Sequence, residues 1–339
     1  SIVDTNVDDF SNPRDVVAVN GHAGVFKAMG LYDEALAEYV RAQKLDPHDV
    51  IAVNGRAEVL KVMGCYDKAL AEYARARKLD PHDVYALAGR AEVLKAMGGY
   101  GDALAEYNRA QTLAPRDVVV VSGRAGVFKA MAHYDDALAE YARAQMLDPH
   151  NVAAVNGRAE VFKAMGRYDE ALVEYERAQA LDPRNAYAVT GRAEALKAIG
   201  RYEEALEEYD KARANNSYDR VAGTGRACVL ATLGRFDDAL QTLSDRQPRD
   251  LHDWIDLHVR AMILLRLGRT AEAKGILTVG TSDSNPFLDT RDYFRTAFAL
   301  VTLREGRLDE ATEVLEQISN PACQNVANVL RFDSYGRLG

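Results

Sequence analysis

Three histidines, His48, His82 and His150, each directly follow a proline in matching Asp-Pro-His segments. Imidazoles are natural zinc ligands, but one ion needs its nitrogens at about 2 Å. These three recur at multiples of 34 residues, and equivalent points on packed helical units lie about 10 Å apart. They are read as surface-turn histidines. His252 and His258 stand beside Asp253 and Asp256 in the only local His/Asp cluster, which an ordinary helical surface explains. The segment GTGRAC (223–228) has two of the three glycines of a dinucleotide loop, but no strand precedes it and Gly225 belongs to a longer pattern. Asn-Asn-Ser at 215–217 fits a glycosylation acceptor without a secretion signal to support it. Cys65, Cys228 and Cys323 are far apart and form no Cys-x-x-Cys, which suits a reducing compartment. HExxH, GxxxxGK[ST] and GxSxG are all missing from the sequence. No catalytic residue, metal ligand or cofactor is therefore expected, and the chain reads as a non-enzyme.

The elements that carry these residues are repeats. Gly21, Gly55, Gly89, Gly123, Gly157, Gly191 and Gly225 are each 34 residues from the next, and so are Ala35, Ala69, Ala103, Ala137, Ala171, Ala205 and Ala239. Tyr32, Tyr66, Tyr100, Tyr134, Tyr168 and Tyr202, followed by Phe236, give a third register. Residues 51–84 and 85–118 share 22 identities in 34, which makes duplication the only economical reading.

Each unit reads as two helices. The first opens after Asp15, Asp49, Asp83, Asp117, Asn151, Asn185 or Asp219, whose side chains accept from the free N–H groups of a first turn. It stops near Gly30, Gly64, Gly98, Gly166, Gly200 or Gly234, residues that tolerate a left-handed turn. The second ends before Pro47, Pro81, Pro115, Pro149 or Pro183. Ala57 and Ala69 allow close helix approach, while Tyr66, Leu70, Tyr73 and Ala76 share one face. One hairpin cannot bury that face alone, so the units must stack.

With Ala57, Gly64, Tyr66, Ala69, Tyr73, Ala76 and Pro81 in residues 50–81, the pattern resembles the tetratricopeptide repeat family. The resemblance covers about 16–244 and implies an all-α, right-handed superhelical solenoid of antiparallel helix hairpins. One departure is systematic. Where that family usually has leucine, this chain has His22, Arg56, Arg90, Arg124, Arg158, Arg192 and Arg226. An arginine at a packing position must pair with an acid or snorkel outward. Beyond 244 the pattern decays: 259–277 keeps the phase, and 296–315 is delayed four residues by a loop, TVGTSDSNPF (278–287). The expected organisation is a lead-in or truncated upstream repeat at 1–14, seven repeats over 15–244, two divergent hairpins over 245–320, and a capping helix and tail at 321–339.

The resemblance also implies that the first helix of each unit lines a concave groove for a peptide or protein. Carried over, the groove holds Asn20, Asn54, Ser122 and Asn156 at one level, Lys27, Lys61, Lys95, Lys129, Lys163 and Lys197 at another, and Tyr85 and Tyr187 nearer the helix start. The asparagines suit a ligand backbone and the lysines suit carboxylates. Alternatively, Lys61, Lys95, Lys163 and Lys197 pair with Glu58, Glu92, Glu160 and Glu194 three residues earlier. Lys27 and Lys129 have glycine, Gly24 and Gly126, at that position, which makes them the first candidates to meet an acidic ligand. The family's clamp for chaperone C-termini wants basic residues where this chain has asparagine, valine or glycine, so that role is not expected.

With 42 basic against 51 acidic residues the formal charge is −9, which argues against nucleic acid as partner. No apolar run is long enough to span a bilayer, no signal peptide is visible, and a cytoplasmic location is expected. The leading expectation is a protein–protein interaction scaffold. Two others compete with it: a self-assembling, homo-oligomeric repeat protein, and the recognition or regulatory arm of a larger enzyme. The start at Ser1 rather than Met suits the last of these.

Overall fold

A computed structural model describes residues 15–215, 220–243 and 248–324. The expected lead-in (1–14), most of the tail from Pro321, and two residues of the Asn-Asn-Ser segment lie outside them. The chain divides into two compact units, Ser1–Arg167 and Tyr168–Gly339, each all-α among the described residues.

The first unit runs α1 (Val16–Ala28), α2 (Tyr32–Leu45), α3 (Val50–Val62), α4 (Tyr66–Leu79), α5 (Val84–Ala96), α6 (Tyr100–Leu113), α7 (Val118–Ala130), α8 (Tyr134–Leu147) and α9 (Val152–Ala164). Odd-numbered helices are the first helix of each hairpin (helix A), and even-numbered ones the second (helix B). Each hairpin packs on the next, and successive A helices also touch one another, so they form one continuous layer.

The boundaries have local causes. Asp49 accepts from the Ile51 N–H at 3.0 Å and Asp83 from Ala86 at 3.1 Å, satisfying donors that have no partner within the helix. At the other end Gly64 turns left-handed, φ +74°, and the Cys65 N–H reaches back to Leu60 O at 2.9 Å. Position 132 breaks this rule: Ala132 makes the same turn at φ +59° without being glycine. Each hairpin closes over a small core, such as Val53, Ala57, Leu60, Ala69, Tyr73 and Ala76, capped by Ala86 and Val93 of the next hairpin.

The second unit comprises α10 (Tyr168–Leu181), α11 (Ala186–Ala198), α12 (Tyr202–Asn215), α13 (Arg220–Thr232), α14 (Phe236–Thr242), α15 (Leu251–Arg266), α16 (Thr270–Thr281), α17 (Leu288–Arg304) and α18 (Leu308–Glu316). Helix α14 has only seven residues. Helix α16 continues through Thr281, four residues into the stretch expected to be loop. Its penultimate residues are needed as packing surface, since Gly280 lies against the ring of Phe294. No helix among the described residues is long and apolar enough to cross a membrane.

Candidate functional site: the helix-A face

The period-34 glycine and a helix-B tyrosine explain one another. The rings of Tyr39, Tyr73, Tyr107 and Tyr141 lie directly against Gly55, Gly89, Gly123 and Gly157 of the next A helix, leaving no room for a methyl group. Tyr175 and Tyr209 meet Gly191 and Gly225 in the same way in the second unit. A flat ring against bare backbone lets the helices approach closely, and it carries the phenol through to the A layer.

There the phenol meets a carboxylate. The Tyr73 hydroxyl donates to Glu58 Oε2 at 3.0 Å, Tyr107 donates to Glu92, and Tyr209 to Glu194. The same carboxylates face the lysine row: Lys61 stands 2.9 Å from Glu58 and Lys95 2.6 Å from Glu92, and Lys197 pairs with Glu194. Lys163 reaches Glu160 at 2.7 Å. Burial pushes the Tyr73, Tyr107 and Tyr209 hydroxyls well up, and the adjacent glutamate charge pushes them further. Burial alone would raise Glu58 as well. Hydrogen bonds from Lys61 and Tyr73, with the charges of Lys61 and Lys27, hold it below the usual carboxylate range instead.

Asparagine has a different place from the one its spacing suggested. Asn20 Nδ2 donates to Asp49 and Asn54 Nδ2 to Asp83, both at 2.6 Å, so these amides tie one A helix to the N-cap of the next. Asn54 and Asn156 are buried, and Ser122 is partly buried. Other A-helix side chains are exposed: Val17, Ile51, Tyr85 and Val119 in the first unit, and Tyr187 and Val221 in the second. Tyr85 is 51% exposed and Tyr187 55%. Burial and then the charge of Glu58 push the hydroxyl of Tyr85 up to about 12. Lys27 and Lys129 are partly buried and, among the described residues, form no ion pair.

The repeated arginine answers to a carboxylate sixteen residues on, in helix B of its own hairpin. Arg56 meets Glu72 at 3.1 Å, Arg124 Glu140 at 3.0 Å and Arg192 Glu208 at 2.7 Å. Arg226 differs: it donates to the Thr242 hydroxyl sixteen residues on at 3.1 Å and pairs with Asp210 of the preceding helix B at 2.7 Å. Glu106 is buried and gathers Arg90, Arg77 and Arg109. Removing one partner of such a group leaves a buried charge uncompensated. The regular sixteen-residue offset was the sequence signal for these pairs.

The histidine cluster also differs from expectation. Asp256 is buried and accepts from the Thr224 hydroxyl, and Asp253 pairs with Arg220 at 2.6 Å. His258 packs against Phe294, ring centres 5.2 Å apart, and burial pushes its imidazole down. A surface reading fails for Asp256 and His258 because their helix face lies against α13 and α17. Among the described residues no group of three His, Cys, Asp or Glu could hold a metal ion.

Two family models, both described as tetratricopeptide repeat, match residues 62–118 and 162–224. Both stretches are tetratricopeptide repeats. The chain's hairpins resemble a solved tetratricopeptide repeat protein from Parabacteroides merdae at 18% identity and TM-score 0.54, covering 67% of this chain and 90% of that one. PilW, described as a widely conserved type IV pilus biogenesis factor, aligns at 19% identity and TM-score 0.53, covering 62% and 97%. Pseudomonas aeruginosa pilF aligns at 17% and 0.50, covering 66% and 94%. At these identities the likeness is one of fold. No curated protein matches the chain. Tetratricopeptide repeats generally mediate protein–protein interactions, and that coarse role follows from the family.

Proposed function

We propose that this chain is a non-enzymatic, cytoplasmic scaffold that binds a peptide or protein segment along its helix-A face. The observation that carries the reading is the exposed row of Val17, Ile51, Tyr85 and Val119, one residue in each of the first four repeats, with the row Lys27, Lys61, Lys95, Lys129 and Lys163 near the opposite end of the A helices. In the second unit α11 carries residues of the same two kinds, Tyr187 and Lys197. A partner with apolar side chains and acidic groups at matching intervals would cover both. The free thiols of Cys65, Cys228 and Cys323 suit a reducing compartment.

The test is affinity capture from the source lysate with the native chain and with a Tyr85→Ser, Tyr187→Ser variant whose helical circular dichroism matches. A partner enriched by the native chain and lost with the variant supports the reading. Equal capture by both chains, or none by either, overturns it. Light scattering over a concentration series tests the competing self-assembly, which requires mass to grow with no partner present.

A further inference from the structure

Hairpin α7–α8 lacks one part that its neighbours share. In α3, α5 and α11 a glutamate receives both the hydroxyl of the hairpin's own tyrosine and the ammonium of a lysine three residues on: Glu58 with Tyr73 and Lys61, Glu92 with Tyr107 and Lys95, Glu194 with Tyr209 and Lys197. In α7 the equivalent position is Gly126, while Tyr141 and Lys129 remain. A Cβ on Gly126 would stand 3.5 Å from Lys95 Nζ and 3.7 Å from the Tyr141 hydroxyl, so a donor from each side faces this position. Lys95 and Lys163 keep their own glutamates, and Lys129 has no ion-pair partner among the described residues. Burial pushes the Lys129 ammonium down; Glu160 opposes this, and Lys163 and Lys95 add to it. Gly24, the other glycine at this position, has nothing described within 4 Å of its missing Cβ. Of the two glycines, only Gly126 has polar groups beside its Cβ position.

We infer that the gap at Gly126 is a subsite for a carboxylate of the bound partner, held by Lys129 with Lys95 beside it. The incoming group takes the place of the glutamate that α3, α5 and α11 supply from their own chain. This rests on the helix-A face being the binding face, as proposed above.

The full chain is titrated with two probes, acetyl-Ala-Glu-Ala-amide and acetyl-Ala-Ala-Ala with a free C-terminus, and binding is followed at the backbone amides of 124–130 by NMR. Two variants accompany it: Gly126→Glu, which fills the gap from within, and Lys129→Met. Saturable shifts with either probe, weakened about tenfold or more in both variants, support the subsite, and the probe that binds identifies a side-chain or a terminal carboxylate. No saturable shift in the native chain overturns it, as does equal binding by Gly126→Glu. Should Lys129→Met fail to fold, Gly126→Glu decides alone, because its neighbours already carry that residue. Failure here leaves the lysate capture standing as a separate result. Probe binding without capture would keep the subsite and remove the wider reading.

Discussion

At the joint between α4 and α5, helix B supplies an aromatic ring and the following helix A supplies the bare backbone: Tyr73 lies on Gly89. At the joint between α16 and α17 the parts are exchanged, with Gly280 on helix B and Phe294 on helix A. Both joints bring a B helix onto the next A helix with one flat ring and no side chain opposite. What the packing requires is the pair, and either helix can provide either half. The exchange has a functional cost. Tyr73 sends its hydroxyl to Glu58 on the A face, whereas Phe294 has none to send and packs edge-on to Trp254, ring centres 6.1 Å apart. The repeats of α3–α6 therefore link core packing to surface charge, and the α15–α18 region packs without that link.

Removing the ring is the strongest way to break the comparison. Phe294→Ala should cost about 3–5 kcal/mol, read by denaturant unfolding with the fluorescence of Trp254, the chain's single tryptophan. A loss below 1 kcal/mol would mean that the joint does not depend on the ring. Filling the other half is the next largest effect. Gly89→Ala puts a methyl into the Tyr73 ring and should cost about 1–3 kcal/mol by overpacking. That exceeds the roughly 0.5–1 kcal/mol that alanine gains over glycine in a helix. Gly275 on α16 is exposed, with nothing within 4 Å of its missing Cβ, so Gly275→Ala should show the gain alone. Effects of the same sign at both positions would refute the ring-on-backbone account.

Acid should separate the two regions by a smaller amount. His258 is held neutral by burial against Phe294 and Tyr293, so its folded value lies below the ordinary 6.5. The unfolded chain then binds the extra proton first as pH falls. Stability from this group is intact above pH 6.5 and drains away between there and the folded value, by at most about 1.4 kcal/mol per pH unit. Between pH 7.5 and 5.5 the unfolding seen by Trp254 should shift downward, and His258→Phe should flatten that dependence. Glu58 stays charged across this window, since its value is lowered, so the α3–α4 hairpin should not respond through it.

The contrast also marks what the sequence could disclose. Helix ends were legible because Asp49 and Gly64 act on their own neighbours, and the lysine–glutamate pairs because three residues separate them on one helix. Links across helices were not. Asn54 finds Asp83 twenty-nine residues away, and Tyr73 finds Glu58 only because Gly89 lets the ring through. The organisation past 244 was harder for the same reason: the glycine and the aromatic had changed places, so a pattern keyed to position lost them while the packing kept them.

The smallest effect tests whether α7–α8 departs from its neighbours in its turn as it does at Gly126. Ala132 occupies the left-handed turn at φ +59° where Gly30, Gly64, Gly98 and Gly166 sit in the other hairpins of the unit. A side chain there crowds its own carbonyl oxygen, at a cost of about 1 kcal/mol. The turn persists because the Ala132 N–H still bonds Lys129 O at 3.0 Å and His133 N–H bonds Phe128 O at 2.9 Å. Ala132→Gly keeps both bonds and relieves the crowding, so it should raise stability by up to about 1 kcal/mol, less whatever glycine's freedom adds to the unfolded chain. A neutral or destabilising result in denaturant unfolding would show that the turn is relaxed with alanine in place. The hairpin's departure from its neighbours would then be confined to the open position at Gly126.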